Sequence, residues 1–295
     1  MFKKKKDRDE VRETVALVHP GKFDVVISML SDVGCVRELN EDSGTFVEPE
    51  DPELRASKGR LIIVADGMGG HSAGEVASRM AVEVITQTYY EHRGEPQAAL
   101  KKAFREANRA IHKAAEKDAT KNGMGTTCTA LVLQNGTAIS AHVGDSRLYL
   151  VRDGAIYLLT EDHSAVMEMV KAGLLTLEQA RHHPDKNVIL RAMGSHPEVE
   201  VTTWEEPFPV RAGDRFLLCS DGLYDLIEDE EIRQIVELGD PQSACQSLIA
   251  LAKERGAHDN VTVGIASLTP PKEVEVHDRP VPETRQVALP EAQQW

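Results

Sequence analysis

The chain has 295 residues, with 48 acidic against 34 basic side chains and a formal net charge of −14, which excludes the basic face a nucleic-acid-binding protein needs. Its apolar fraction of 41% supports a sizeable core, and an aromatic fraction of only 4% leaves Ala, Val, Leu and Ile to fill it. No stretch approaches the ~20 apolar residues of a membrane-spanning helix, so no integral membrane segment is expected.

Residues 1–20 read as a flexible basic segment. Lys3, Lys4, Lys5 and Lys6 have no apolar run after them, so they do not open a signal peptide. A single domain is expected over residues 21–269. It begins with a strand from Phe23 to Leu30, then a short buried strand around Leu61-Ile62-Ile63-Val64. Val76, Met80, Val84 and Ile85 recur at helical spacing and predict a helix from Ser72 to Tyr90, with Ser72 and Glu75 as its capping box. Leu100, Phe104, Ala107 and Ile111 mark a second helix from Gln97 to Lys117. The period then shortens: Thr126–Leu133, Ala138–Val143, Arg147–Arg152 and Ala155–Leu159 read as strands. Asn135-Gly136 and Asp153-Gly154 supply two-residue hairpin turns between them. Helical patterning returns over about residues 164–196. Strands Arg215–Cys219 and Val261–Leu268 follow, with helices Asp229–Leu238 and Gln242–Arg255 between them. Residues 270–295 form a Pro-rich tail without apolar periodicity, expected to be disordered. The four cysteines, Cys35, Cys128, Cys219 and Cys245, lie far apart with no CxxC pair and read as reduced, buried thiols of a cytoplasmic protein. Long helices flanking antiparallel strands predict an α+β fold, a four-layer α-β-β-α sandwich with two central antiparallel sheets.

Across this framework lie five acidic patches. They are Arg37-Glu38-Leu39-Asn40-Glu41-Asp42, Ala65-Asp66-Gly67-Met68-Gly69-Gly70, Gly144-Asp145-Ser146-Arg147, Ser220-Asp221-Gly222 and His258-Asp259-Asn260. Three of them follow apolar strands. A carboxylate at the end of a buried strand is costly unless a positive group meets it, and a divalent cation shared by several of them would do so. Asp66 with the carbonyl of Gly67 offers a pair of hard oxygen ligands, although Asp66 also reads as a cap at an ordinary strand-to-helix turn. Gly67, Gly69 and Gly70 let the backbone turn sharply and expose a carbonyl, but they lack the lysine and the spacing of phosphate-binding loops. The guanidinium of Arg37 suits phosphate oxygens, or else makes a surface ion pair with Glu38 or Glu41.

Arg37-x-x-Asn40-Glu41-Asp42, Asp66-Gly67-Met68-Gly69-Gly70, Gly125-Thr126-Thr127, Gly144-Asp145-Ser146-Arg147, Ser220-Asp221-Gly222 and Asp259-Asn260, taken in order, closely resemble the metal-dependent PP2C (PPM) protein phosphatases of the bacterial type. The resemblance runs from about residue 24 to 268. It implies a serine/threonine protein phosphatase using Mn²⁺ or Mg²⁺, two core ions with a third possible. Asp66, Gly67, Asp221 and Asp259 would bind the core ions, Asp145 with Asp221 the third, and Glu41 and Asp42 would act through water. Asn260 would support the site from its edge, also through water. Arg37 would hold the substrate phosphate, and Arg37, Asp66, Asp221 and Asp259 form the expected catalytic set. Water bridging the two ions would attack phosphorus directly, with no phosphoenzyme. The implied partners are phosphorylated proteins, among them a Ser/Thr kinase and its targets, and the implied state is a monomer. Residues 164–196 match the variable flap of the family, where His182, His183, Arg191 and His196 could touch substrate. Met68 stands where eukaryotic members carry a histidine. The proton donor is therefore open between water on the metal and His163, which also reads as a loop-capping residue. A binding module on the same fold, and a hydrolase of other phosphate esters, are the competing functions.

Overall fold

The computed structural model describes residues 23–69 and 73–270. Its strands are β1 Asp24–Asp32, β2 Asp42–Val47, β3 Arg60–Met68, β4 Gly125–Thr126, β5 Cys128–Gln134, β6 Thr137–Val143, β7 Arg147–Arg152, β8 Ala155–Leu158, β9 Thr202–Thr203, β10 Phe208–Pro209, β11 Arg215–Cys219 and β12 Val261–Thr269. Its helices are α1 Pro52–Lys58, α2 Ala73–Glu91, α3 Pro96–Lys117, α4 Ala165–Lys171, α5 Leu177–Arg181, α6 Asp221–Tyr224, α7 Asp229–Leu238 and α8 Pro241–Glu254. One sheet has the order β1-β12-β11-β7-β8 and the other β10-β6-β5-β3-β2, with β4 and β9 attached to β3 and β6. Every pairing is antiparallel.

Three apolar cores separate four layers, as expected from the sequence. Leu61, Ile63 and Ala65 of β3 pack with Ala77, Ala81 and Ile85 of α2 and with Leu100, Phe104 and Ile111 of α3. Leu217 and Cys219 of β11 and Val261, Val263 and Ile265 of β12 pack with α7 and α8 through Ile232, Val236, Leu248 and Ile249. Ile62 and Val64, Phe216 and Leu218, and Ala266 and Leu268 fill the space between the sheets. The period-2 alternation of a strand sends neighbouring residues into different cores. Strands covered on both faces are apolar throughout, which is why Leu61–Val64 shows no polar alternation. The hairpin turns form as read: Asn135 and Gly136, and Asp153 and Gly154, all have positive φ, the conformation that a two-residue primed turn requires.

Several boundaries differ from the sequence reading. β2 and α1 were not anticipated, because Asp42–Val47 mixes polar and apolar residues and α1 is only seven residues long. β3 does not end before Asp66 but continues to Met68, because Gly67 and Met68 pair with Thr126 and Gly125. Residues 164–196 are helical only in α4 and α5; after Arg181 the chain returns through turns, bridging Ser164 with Ile189. Cys35 is exposed, while Cys128, Cys219 and Cys245 are buried, and all four are free. Burial lifts the three buried thiols above their ordinary pKa, so none is an activated nucleophile. The Ser72 cap, the basic lead-in and the tail from 271 lie outside the described residues. Among the described residues no helix is long and apolar enough to cross a membrane.

Phe216 is fully buried between the sheets, whereas Tyr157 on β8 is half exposed. Phe216→Ala is expected to destabilise the protein by about 3–5 kcal/mol in urea unfolding and Tyr157→Ala by less than about 1 kcal/mol. Equal losses would contradict the assignment of the inter-sheet core.

Candidate metal centre

The alternation that builds the inter-sheet core also builds the site. Asp66 continues the face of Ile62 and Val64, so its side chain extends that core at one end of the sandwich. Asp42, the first residue of β2, is its cross-strand partner. Opposite them in the second sheet, Ser220 follows Phe216 and Leu218 in phase, and Thr262 lies on the same inward face of β12. Their hydroxyls both donate to Asp42 Oδ2, each at 2.7 Å. Thr262 is reached in turn by Ser31 at 2.7 Å, and Ser31 accepts from the Asn40 amide at 2.8 Å. This relay of donors ends on the Asp42 carboxylate.

The main chain of Asp66 is fixed by the Gly125-Thr126-Thr127 segment. Its N–H donates to Thr127 Oγ1 at 3.0 Å, and its carbonyl accepts from Thr127 N and from Thr126 Oγ1, both at 2.8 Å. Thr127 Oγ1 also meets Ser146 Oγ at 2.6 Å, tying β3 to the Gly144–Arg147 turn. Gly67 is required by close approach: a Cβ there would lie 2.2 Å from the Gly74 carbonyl oxygen and 2.5 Å from that of Glu41. The glycine therefore serves contact between β3 and the start of α2 rather than the sharp turn read from the sequence.

Asp221 opens α6 and Asp259 immediately precedes Asn260 and β12. Gly222 lets these two segments touch, since a Cβ on it would stand 2.1 Å from the Asn260 carbonyl oxygen. The Asn260 side chain is wholly committed to backbone. Its amide donates to Val33 O and Leu39 O at 3.0 Å each, and its carbonyl accepts from Glu41 N at 2.8 Å. It thereby holds the 33–41 loop. That loop carries Arg37, whose Nη2 donates to Asp259 Oδ2 at 2.7 Å with the guanidinium half exposed.

The electrostatics are one-sided. Burial raises the pKa of Asp66 well above its ordinary value, and the charges of Asp42, Asp221, Asp145 and Asp259 add to the shift. Burial likewise raises Asp221, with Asp145, Asp225, Asp259 and Asp42 adding to it. Asp42 rises through burial despite its two hydroxyl donors, Asp145 through burial and the neighbouring Asp162, and Glu41 through burial. Arg37 is raised by its hydrogen bond to Asp259. Buried acids that repel one another hold protons unless a cation meets them. Seven buried side-chain polar atoms lack a partner among the described residues, and four of them belong here: Glu41 Oε1, Asp42 Oδ1, Asp145 Oδ1 and Asp221 Oδ1. Among the described residues no three acidic, imidazole or thiol side chains form a finished coordination set. These four unpartnered donors are hard oxygens of acidic side chains, which fits Mn²⁺ or Mg²⁺.

His163 is not a free acid. The Gly144 N–H donates to its Nδ1 at 3.0 Å, its Nε2 lies 3.0 Å from Thr202 Oγ1, and burial holds it neutral with a pKa pushed down to about 3. Of the flap residues, Arg191 pairs with Glu200 at 3.0 Å, and His196 gives its carbonyl to the Asn108 amide. His183 Nδ1 accepts from Asp185 N, a turn contact within the flap. The sequence reading assigns no role to Ser220, Thr262 or Asp225. Asp225 adds to the field on Asp221 and pairs with Lys186 of the flap. Its position four residues after Asp221, one helical turn on, was the available signal.

A family model described as protein phosphatase 2C matches residues 53–247. The serine/threonine phosphatase stp of Listeria innocua is 39% identical over 239 residues, 79% of this chain and 92% of that protein. The serine/threonine protein phosphatase PstP of Mycobacterium tuberculosis is 41% identical over 240 residues, 81% of this chain and 44% of that longer protein. The crystal structure of the M. tuberculosis PstP/Ppp phosphatase superposes with a TM-score of 0.74 at 39% identity, covering 83% of this chain and 99% of that one. A PstP catalytic domain in complex with two manganese ions superposes with a TM-score of 0.71 at 36% identity, covering 84% and 100%. On the family-model match, the identity over most of its length and the shared fold, the chain belongs to the protein phosphatase 2C family and is an enzyme of that family.

Proposed function

We propose that the protein is a serine/threonine phosphatase that hydrolyses phosphoserine and phosphothreonine in protein substrates by direct attack of water. The observation that carries this reading is the cluster of buried, mutually repelling carboxylates with four unpartnered oxygens. Asp66, the Gly67 carbonyl, Asp221 and Asp259 would hold two Mn²⁺ or Mg²⁺ ions, Asp145 with Asp221 a third, and Glu41 and Asp42 would hold water next to them. When bound, such ions supply a Lewis acid for phosphoryl oxygens and lower the pKa of water from ~15.7 toward ~7. The relatives named as serine/threonine phosphatases, and the relative that holds two manganese ions, support this assignment.

The chain's own residues supply orientation and charge. Arg37, half exposed at the rim, presents its guanidinium to the phosphate as a planar fork of donors. The Ser31–Thr262–Asp42 and Ser220–Asp42 bonds fix one oxygen of Asp42 and leave the other facing the cluster. Thr126 and Thr127 keep Asp66 from shifting as charge develops. Met68 carries no transferable proton and both ring nitrogens of His163 are engaged, so the leaving alkoxide takes its proton from water. Protein substrates imply a partner Ser/Thr kinase whose products the enzyme reverses, acting in the cytoplasm as a monomer.

Asp66→Asn and Asp221→Asn are each expected to lower kcat/KM on a phosphothreonine peptide with Mn²⁺ by on the order of a thousandfold, the several kcal/mol a Lewis acid contributes. Full activity in both variants, or in EDTA, would falsify the metal-dependent reading. Arg37→Ala should raise KM and lower kcat/KM roughly 10- to 100-fold, the worth of a lost charge-assisted hydrogen bond; steady-state kinetics checks this, and an unchanged KM removes Arg37 from the phosphate site. Turnover of phosphoserine and phosphothreonine peptides should exceed that of a phosphotyrosine peptide and of nucleotides in one panel. Preference for nucleotides would instead favour a hydrolase of other phosphate esters or anhydrides.

A further inference from the structure

His163 is joined to the Gly144-Asp145 turn twice. Its own backbone N–H donates to the Gly144 carbonyl at 2.8 Å, and the Gly144 N–H donates back to its Nδ1 at 3.0 Å. A backbone N–H can only donate, so Nδ1 is an acceptor and the proton of the neutral ring sits on Nε2. Nε2–H then donates to Thr202 Oγ1 at 3.0 Å. The Arg191 Nη1 atom, 3.2 Å from Nε2, faces a donor and makes its hydrogen bond to Thr202 Oγ1 instead, at 3.4 Å. The ring lies against that of His142, centroids 4.7 Å apart, and the chain on either side is pinned by Leu190 N to His163 O and Ala165 N to Val188 O.

The turn it holds has no slack. Gly144 has φ of +107°, and a Cβ there would strike Thr127 at 2.5 Å. Thr127 is also the residue that binds the Asp66 N–H. Asp145 follows directly, buried, with Oδ1 unpartnered and its carbonyl accepting from Tyr224 at 3.2 Å. Rotation about Gly144 would carry the Asp145 carboxylate out of the cluster, and the two bonds from His163 oppose that rotation.

We propose that His163 is a positioning residue: by accepting the Gly144 N–H at Nδ1 it sets the direction of the Asp145 carboxylate and thereby the affinity of the divalent-ion site to which Asp145 contributes. The inference rests on the reading of Asp145 as a metal ligand.

Asn places its side-chain oxygen where Nδ1 lies and keeps the acceptor, whereas Gln places its amide where Nε2 lies and loses it. Mn²⁺ is titrated calorimetrically into the full-length wild type, Asp145→Asn, His163→Asn and His163→Gln, with far-ultraviolet circular dichroism of each variant as a check on folding. Asp145→Asn is expected to remove one Mn²⁺-binding step. His163→Gln should weaken that same step by about 10- to 100-fold, the usual effect of removing a residue that orients a ligand, and leave the other steps unchanged. His163→Asn should stay within about threefold of wild type. If His163→Gln binds like wild type while Asp145→Asn loses its step, the positioning role is overturned and the role of Asp145 stands. Equal weakening in the Asn and Gln variants also overturns it, since the acceptor would then not matter. If Asp145→Asn binds every ion as the wild type does, the reading of Asp145 itself fails.

Discussion

Two carboxylates opposite each other on neighbouring antiparallel strands are the constraint around which this structure is arranged. Asp42 and Asp66 are register partners and both face inward between the sheets. Like charges directly opposite on neighbouring strands are destabilising, and burial deepens the conflict. The surrounding contacts keep the pair in place. Ser220 and Thr262 fasten Asp42 from the second sheet, Thr126 and Thr127 fasten the main chain of Asp66, and Gly67 lets the start of α2 close over them. Asp221, Asp259 and Asp145 then enter the same field from separate segments.

The layers supply the rigidity this needs. The segments that carry Asp66, Asp145, Asp221 and Asp259 each lie on or next to a strand whose two faces are sealed in different apolar cores. Moving a carboxylate out of the cluster would therefore displace packed side chains, not only a loop. A site on such elements keeps its geometry better than one on flexible connections. Arg37 is the exception, carried on the 33–41 loop and tied down by the Asn260 amide.

Much of this was legible in the sequence. The hairpin turns at Asn135-Gly136 and Asp153-Gly154, the amphipathic α3 and the doubly buried β3 each follow from local chemistry and alternation. The acidic patches were conspicuous because charge at the end of an apolar strand needs a partner. What was not legible depended on contacts between segments distant in sequence. Nothing near Asp42 announces that Ser220 and Thr262 will donate to it, and Gly67 looks like a turn glycine until its contact with Gly74 is seen. The hold of Asn260 on the 33–41 loop was hidden because the three backbone groups it binds lie more than 200 residues away. The helical patterning of the flap overreached because its return from Arg181 to His196 is polar and turn-forming, and only α4 and α5 are helical.

A carboxylate cluster that destabilises the fold until divalent cations neutralise it should yield to either charge removal or metal. Thermal unfolding of wild type and Asp66→Asn, each in EDTA and in saturating Mn²⁺, measures both effects. In EDTA, Asp66→Asn should unfold a few degrees above wild type, because about 1 kcal/mol of relieved repulsion shifts the midpoint of a domain this size by roughly 2–4 °C. Mn²⁺ should raise the wild-type midpoint by several degrees, near 2.7 kcal/mol at a hundred times the dissociation constant, and raise that of Asp66→Asn far less. A variant less stable than wild type in EDTA that still gains the full Mn²⁺ shift would contradict the account.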